Sequence, residues 1–413
     1  MLLNVLMALA VIMVAARLVG ALFARFHQPA VMGEVVGGIL LGPSLLGRVS
    51  PEAAAFLFPA EASPFLGVIA QLGVILYMFL VGLELDLHVL RGSIGMTLAI
   101  SLSSIVVPFT LGAGLAWLLY DALAPAGVSF GSFTLFLGVS MSITAFPVLA
   151  RILGDRGLQR THTGILALTC AAINDAVAWC LLAFVVSVTR ATPGAAIVTV
   201  VLTAIYVALM LSAGRSVMTR FSARLDASAG IGEQSFAVVL VVVLLSAVAT
   251  EFIGIHAIFG AFLVGAIIPH GSRIATHVTE RLEVIVRVMF LPAFFAFTGL
   301  RTEIGLLQTA GDWLLCGAII VVATAGKFGG ATLAARVVGL SWRDSAALGI
   351  LMNTRGLVEL IVLNIGLDLG VITPRLFTML VIMALVTTLM TSPILSSLLR
   401  SGPGQPLTSS PDQ

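Results

Sequence analysis

One acidic residue lies in the middle of a long apolar stretch. Asp175 stands within a segment, residues 161–188, that is otherwise largely uncharged. An isolated carboxylate at bilayer depth is costly, so such residues face a polar cavity and mark ion or proton paths. A carboxylate can hold a dehydrated alkali cation or a proton, but not both, and hard oxygen ligands suit such cations. Asn174, about 100° further round a helix, could support the same site or supply an amide oxygen.

Neutral oxygen groups are concentrated in a second apolar segment. Ser140, Ser142 and Thr144 alternate along the chain, and Pro147 follows them. In a continuous helix these three side chains would point in different directions, and the proline disturbs the helical hydrogen bonds. The pattern predicts an extended break whose hydroxyl groups line one side and act as cation ligands. The alternative is that they are ordinary hydroxyl groups in helix packing.

Three further charged residues lie deep in apolar segments. Lys327 is the only lysine among the 21 basic residues, and a buried lysine changes its protonation state readily. It could compensate Asp175, stabilise backbone carbonyls at a helix break, or act as a second proton site. Arg355 and Glu359 are four residues apart, a spacing that permits an ion pair on a helix. We interpret this pair as structural or gating.

The composition identifies the elements that must hold these residues. Of the 413 residues, 59% are hydrophobic and 10% are charged, whereas soluble domains carry about 25% charged residues. The apolar runs are continuous, which excludes an alternating β-barrel. The sequence therefore predicts an all-α polytopic membrane protein with about thirteen spans. They are expected at residues 2–22, 30–46, 65–84, 93–119, 131–150, 162–188, 194–214, 234–250, 254–269, 284–300, 312–335, 344–367 and 374–399.

The distribution of arginine predicts the orientation. Most arginines fall in alternate loops of this map, which the positive-inside rule assigns to the cytoplasm. The N-terminus is then outside and the C-terminus cytoplasmic. The tail at 400–413 is short and polar, and we expect it to be disordered. No cleavable signal, soluble regulatory domain, disulfide framework or metal cluster is expected.

Two of the predicted spans are interrupted. Span five carries the hydroxyl groups, and span twelve carries Asn353-Thr354-Arg355-Gly356 in its middle. The two spans are seven apart, so spans 1–6 and 8–13 would form two inverted repeats. Interrupted spans at matching places in inverted repeats point to a transport site near the middle of the bilayer. Residues 194–233 would then be a linker, formed by span seven and a cytoplasmic loop.

These motifs resemble a known family. The sequence is similar to the monovalent cation:proton antiporter-2 family, in particular to its cation/proton exchanger branch with an Asn-Asp pair. The stretches that carry the resemblance are 28–34, 38–47, 79–86, 142–153, 174–179, 254–262 and 353–360. The resemblance extends over nearly all of the chain, and the motifs follow the family's order.

The resemblance implies more than the residues do. It implies a homodimer, with a dimerisation domain at 1–92 and 234–300 and a core ion-transport domain at 93–188 and 312–399. It also implies two crossed discontinuous helices, Thr144 at the crossover, and elevator-type alternating access. In relatives with an Asp-Asp pair, a lysine at the Lys327 position pairs with the first aspartate. Here that residue is Asn174, which suggests electroneutral exchange and leaves the partner of Lys327 open.

Taken together, the sequence predicts a secondary antiporter that exchanges Na⁺ or K⁺ for H⁺ at Asp175. We expect a multi-pass protein of the bacterial plasma membrane with no cofactor and no nucleic-acid partner. A sodium-coupled symporter for an organic anion is the alternative, although it would need a roomier pocket. A channel is a further possibility, but a lone carboxylate between two broken helices favours a carrier. An intramembrane aspartyl protease would need two facing aspartates, so an enzyme is not expected.

Overall fold

The computed structural model describes residues 2–84, 94–159, 161–190, 193–226 and 232–400. The predicted disordered tail beyond residue 400 lies outside these ranges. Within them the chain forms helices and no strand, as predicted. The α-helices are, in chain order, α1 (Leu2–Arg25), α2 (Ala30–Leu41), α3 (Leu46–Val49), α4 (Pro51–Leu57), α5 (Ser63–Glu84), α6 (Ile94–Leu123), α7 (Phe130–Ser142), α8 (Phe146–Asp155), α9 (His162–Arg190), α10 (Pro193–Leu209), α11 (Arg215–Asp226), α12 (Glu233–Ile253), α13 (Ala257–Ile267), α14 (Arg273–Ile285), α15 (Leu291–Leu300), α16 (Ala310–Thr324), α17 (Gly330–Val337), α18 (Trp342–Met352), α19 (Leu357–Asp368) and α20 (Pro374–Arg400).

The described helices do not confirm a count of thirteen spans. Eleven are long and apolar enough to cross a membrane, or up to twelve if the bent pair α18 and α19 is one span. The remaining predicted span, 254–269, is an 11-residue helix, α13. Such a helix is about 16 Å long, against an apolar bilayer thickness of about 30 Å. The left-handed Gly254 ends α12 just before it.

The chain forms two compact units. The first comprises residues 1–17, 37–88 and 183–301, and the second comprises residues 18–36, 89–182 and 302–413. The assignment of a dimerisation role to one domain and a transport role to the other stays a prediction.

Close helix packing characterises the first unit. Gly82 of α5 lies against the backbone of α13, and Gly265 of α13 lies against the backbone of α5. A Cβ atom at either position would overlap the facing helix. Small residues at such contacts let two helices in a membrane approach closely.

The second unit contains the two interrupted helices, and both interruptions were predicted. Pro147 in the first turn of α8 removes an N–H, and its ring excludes a helical carbonyl at Ile143. Ile143 and Ala145 accordingly adopt extended backbone between α7 and α8. The second interruption, Asn353–Gly356, separates α18 from α19, which are bent by 42°. Hydroxyl N-caps start both pairs, because Ser129 accepts from Ser132 N and Ser341 accepts from Asp344 N.

Candidate functional site

The two interruptions are hydrogen-bonded to each other. Ala145 N donates to Thr354 O at 3.0 Å, and Thr144 Oγ1 donates to Met352 O at 3.1 Å. Each interruption brings the ends of two short helices into the protein interior. Helix ends carry unpaired carbonyls or amides and the partial charges of the helix dipole. This junction of helix ends is the framework of the candidate site.

Arg355 occupies the end of α7. Its Nη1 and Nη2 donate to Ser140 O and Met141 O, both at 2.7 Å, and so cap two carbonyls that the helix leaves unpaired. The predicted ion pair is present, with Arg355 Nη1 2.9 Å from Glu359 Oε2. Ser140 Oγ donates to Glu359 Oε1 at 2.7 Å. Arg355, Glu359 and Ser140 are all fully buried. The Arg355–Glu359 pair is neutral as a whole because its members carry opposite charges, and its polar groups are largely satisfied.

Lys327 comes from a π-helical segment, Ala325–Gly329, between α16 and α17. Its side chain is fully buried, and Nζ donates to Thr144 Oγ1 at 2.6 Å. The preceding Gly326 packs against α6, where a Cβ atom would lie 2.8 Å from the Cα of Pro108. Widened turns of this kind occur often at functional sites. The partner that the sequence left open is therefore a neutral hydroxyl group.

Asp175 lies on α9 with 3% of its surface exposed. The backbone N–H of Phe146, which opens α8, is close enough to act on the carboxylate charge, as is Lys327. Neither carboxylate oxygen, however, accepts a hydrogen bond of normal geometry from the described part of the chain. Buried carboxylates are normally hydrogen-bonded or paired. Asp175 therefore has oxygen atoms available for a ligand.

The Asn174 side chain has different hydrogen-bond partners from Asp175. An amide oxygen and nitrogen are told apart by what surrounds them. Two carbonyl oxygens, of Ser101 and Cys170, lie 3.3 Å from one end of the amide, so that end is the donating Nδ2. Oδ1 then accepts from Ser104 Oγ at 2.7 Å and lies 3.3 Å from Thr144 Oγ1. Asn174 thus joins α6, α9 and the first interruption.

The structure brings together only part of the predicted ligand set. Thr144 contacts both Lys327 and Asn174. The Ser140 hydroxyl is engaged by Glu359, and Ser142 Oγ donates to Gly138 O at 2.7 Å. Neither serine forms a hydrogen bond with Asp175.

Sequence reasoning missed three polar residues at the site. They are Ser101 and Ser104 of α6, and Thr388 of α20, which accepts from Arg355 N at 2.8 Å and donates to Arg355 O at 2.6 Å. Hydroxyl groups inside otherwise apolar spans were the available signal. No periodicity distinguishes them from hydroxyl groups that merely bond their own helix.

Within the described part of the chain, Asp175 is a buried carboxylate without a hydrogen bond of normal geometry, and it lies beside two interrupted helices. This arrangement is expected of an ion-coupled membrane transporter. The comparison with known proteins agrees, since the transmembrane sodium/hydrogen exchanger family matches residues 11–400. The chain belongs to this family of cation/proton antiporters and is therefore a transporter, not an enzyme.

Related proteins carry the same assignment. The Na⁺/H⁺ antiporter NhaS4 of Synechocystis sp. is 45% identical over 95% of this chain and 96% of its own length. Cation/H⁺ antiporter 17 of Arabidopsis thaliana is 39% identical and K⁺/H⁺ antiporter 1 of Saccharomyces cerevisiae 36%. They match 96% and 90% of this chain, respectively. This chain spans only about half of their own lengths, 48% and 45%. None of the three is a symporter, so the alternative of an organic-anion symporter has no support among them.

A solved structure shares the fold. The sodium proton antiporter MjNhaP1 from Methanocaldococcus jannaschii superposes with a TM-score of 0.65 over 95% of this chain and 97% of that protein. The sequence identity is 14%, so this similarity concerns the fold alone.

Proposed function

We propose that the protein exchanges a monovalent cation, Na⁺ or K⁺, for H⁺, and that the two compete for Asp175. The observation that carries the proposal is that neither buried Asp175 oxygen accepts a hydrogen bond of normal geometry from the residues that the structure describes. A bare carboxylate can be neutralised either by a proton or by a dehydrated cation. Thr144 Oγ1 is the neutral oxygen that supplements it, and Asn174 supports Thr144. Competition for one carboxylate produces exchange when the site opens to one side of the membrane at a time.

The charges around the site favour electroneutral exchange. With Asp175 ionised and Lys327 protonated, their charges sum to zero, and the Arg355–Glu359 pair also sums to zero. Binding of one monovalent cation gives the site a charge of +1, and binding of one proton gives the same +1. If Lys327 keeps its proton, the two loaded forms cross the membrane with equal charge. One cation is then exchanged for one proton without net current.

The two units suggest how the site changes sides. All of the residues that form the site belong to the second unit, so this unit can carry the bound ion as one body in an elevator-type movement. The first unit would then hold two copies together as a homodimer. We further propose that the protein lies in the bacterial plasma membrane, with its N-terminus outside and its C-terminus in the cytoplasm.

The central test is cation-induced collapse of a proton gradient. Everted vesicles from an antiporter-deficient bacterial host are acidified, and the recovery of a pH-sensitive dye is measured after addition of Na⁺, K⁺ or Li⁺. We expect Asp175→Asn to abolish recovery for every cation that the wild type transports. Asp121→Asn, at an exposed position near the end of α6, is the matched control and should transport normally. Transport by Asp175→Asn at the wild-type rate would disprove the proposed function.

Stoichiometry needs a second measurement. Proteoliposomes with the purified protein are adsorbed to a solid-supported membrane and exposed to a saturating Na⁺ gradient. Electroneutral exchange gives no sustained transport current, even when the dye assay shows proton movement. A sustained current driven by the pH gradient would contradict one-for-one exchange.

A further inference from the structure

We propose that Ser104 is a positioning residue that orients the Thr144 hydroxyl group, through Asn174, toward the transported cation. This inference rests on the proposed function, because it treats Thr144 as a cation ligand. Ser104 is fully buried on α6. Its influence reaches the site through a single amide group.

The orientation of the Asn174 amide is the first step. The carbonyl oxygens of Ser101 and Cys170 hold Nδ2, so Oδ1 must face the two hydroxyl groups, 2.7 Å from Ser104 Oγ and 3.3 Å from Thr144 Oγ1. A reversed amide would place its oxygen against two carbonyl oxygens. It would also place an N–H donor against Thr144 and so use a second lone pair of that hydroxyl group. The observed orientation leaves this lone pair free.

The single hydrogen of Ser104 is the second step. Ser104 Oγ lies 2.9 Å from Ser101 O and 2.7 Å from Asn174 Oδ1. Ser101 O already accepts from Asn174 Nδ2, whereas Oδ1 needs a donor. The Ser104 hydrogen therefore goes to the amide oxygen over the shorter distance.

The single hydrogen of Thr144 is the third step. It can go to Met352 O at 3.1 Å or to Asn174 Oδ1 at 3.3 Å. Met352 O is the nearer acceptor, and the Ser104 hydrogen already occupies one lone pair of Oδ1, so the Thr144 hydrogen stays on Met352 O. Lys327 Nζ takes one lone pair of Thr144 Oγ1, and the other stays available for a cation. Without Ser104, Oδ1 would draw the Thr144 hydrogen away from Met352 and turn the remaining lone pair.

The inference predicts a selective loss of cation affinity. Ser104→Ala should raise the apparent KM for Na⁺ by about three- to tenfold, the range expected for loss of one net hydrogen bond. The maximal rate should change less than twofold, because Asp175 and Lys327 are untouched. Ser104→Thr keeps the hydroxyl group and should restore the wild-type KM. Ser104→Cys, with nearly the same volume and a weaker donor, should give an intermediate KM.

Ser103→Ala is the matched control. Ser103 is the preceding residue of α6, and its hydroxyl group donates to Gly330 O at 3.0 Å, away from Asn174. Its apparent KM should equal that of the wild type. Dye recovery is measured over a range of Na⁺ concentrations for all variants and for Asp175→Asn in parallel.

The outcomes separate the two proposals. If Asp175→Asn transports normally, the proposed function itself fails. If Asp175→Asn is inactive but Ser104→Ala has a wild-type KM, the positioning role of Ser104 is overturned. The same holds if Ser103→Ala raises the KM as much as Ser104→Ala does. If Ser104→Ala does not fold, Ser104→Cys carries the test, and a wild-type KM in that variant overturns the inference.

Discussion

The Lys327 ammonium group donates to the Thr144 hydroxyl group across 2.6 Å, between residues 183 positions apart in the chain. A buried ammonium group needs compensation for its lost hydration. Here the hydrogen bond comes from a neutral side chain. The nearby carboxylates are Glu359 and Asp175, and because Glu359 is already paired with Arg355, the compensating charge comes from Asp175. In the proposed mechanism this relationship ties the lysine to the occupancy of the site, because a proton or a cation bound to Asp175 neutralises the carboxylate.

Replacement of Lys327 by methionine tests that relationship. The substitution leaves the buried Asp175 charge without the nearby ammonium group in the empty protein, and an uncompensated buried charge is destabilising. Bound Na⁺ then restores neutrality. We expect Lys327→Met to have a lower melting temperature without Na⁺ and a larger Na⁺-induced rise than the wild type. A Na⁺-induced rise no larger than that of the wild type would contradict this role of Lys327.

The Arg355 side chain supports the end of α7. Arg355→Leu removes the charged partner of Glu359 and the donors to the carbonyls of Ser140 and Met141, so we expect the free energy of unfolding to fall by about 3–5 kcal/mol. Arg355→Lys should retain only part of the stability lost in Arg355→Leu, since an ammonium group cannot reproduce the planar guanidinium fork. Glu359→Gln keeps a polar partner for Ser140 and should be milder than Arg355→Leu. Thermal unfolding in detergent ranks the three variants, and equal losses would show that carbonyl capping is unimportant.

The close approach at Gly326 can be tested within one π-helical segment. Gly326→Ala places a methyl group 2.8 Å from the Cα of Pro108. Overpacking of this kind costs about 1–3 kcal/mol and should displace Lys327, so both stability and transport rate should fall. Gly329→Ala is the control, because no atom lies within 4 Å of its added Cβ. If the two variants behave alike, backbone approach does not position Lys327.

The amide network makes a prediction for Asn174→Asp. One oxygen of the new carboxyl group would lie near Ser101 O and Cys170 O, each 3.3 Å from the present amide end. Only a protonated oxygen fits between two carbonyl acceptors. We therefore expect the variant to carry a neutral carboxyl group and to show no sustained pH-driven current on a solid-supported membrane. A sustained current would show that the new residue takes part in charge transfer.

The proposed competition between proton and cation at Asp175 predicts how transport depends on pH. A proton and a cation that exclude each other must weaken each other's binding reciprocally. Where Asp175 is mostly protonated, the apparent KM for Na⁺ should rise by about tenfold for each unit that the pH falls, with an unchanged maximal rate. Dye recovery over a pH series measures this slope. A constant KM with a falling maximal rate would place the proton at a different group.

The sequence predicted the interruptions and the Arg355–Glu359 pair because their causes are local. Pro147 lacks an N–H and its ring clashes with a helical carbonyl at Ile143, and a spacing of four residues brings two side chains together on a helix. The predicted count of thirteen spans is not confirmed, because apolar content does not measure the length of a helix. The run at 254–269 was apolar enough, but its helix, α13, has only 11 residues.

The partners of Asn174 and Lys327 could not be predicted in the same way. The Asn174 amide meets Ser104, 70 positions earlier in the chain, and the relevant hydroxyl group has many equivalents among the apolar spans. The resemblance to antiporters with an Asp-Asp pair also directed attention to an acidic partner for Lys327. In this chain the hydroxyl group of Thr144 takes that position, which only the packing of α6, α9 and the π-helical segment determines.

The capping of α7 by the Arg355 guanidinium group also bears on the order in which the protein is assembled. Arg355 lies 215 residues after Ser140, the carbonyl of which it caps. During synthesis α7 enters the membrane long before Arg355 leaves the ribosome. Until then, the carbonyls at the end of α7 have no guanidinium group to bond. The junction of the two interruptions therefore forms late in assembly, and a ribosome stalled before residue 355 holds a chain that cannot yet form the proposed ion site.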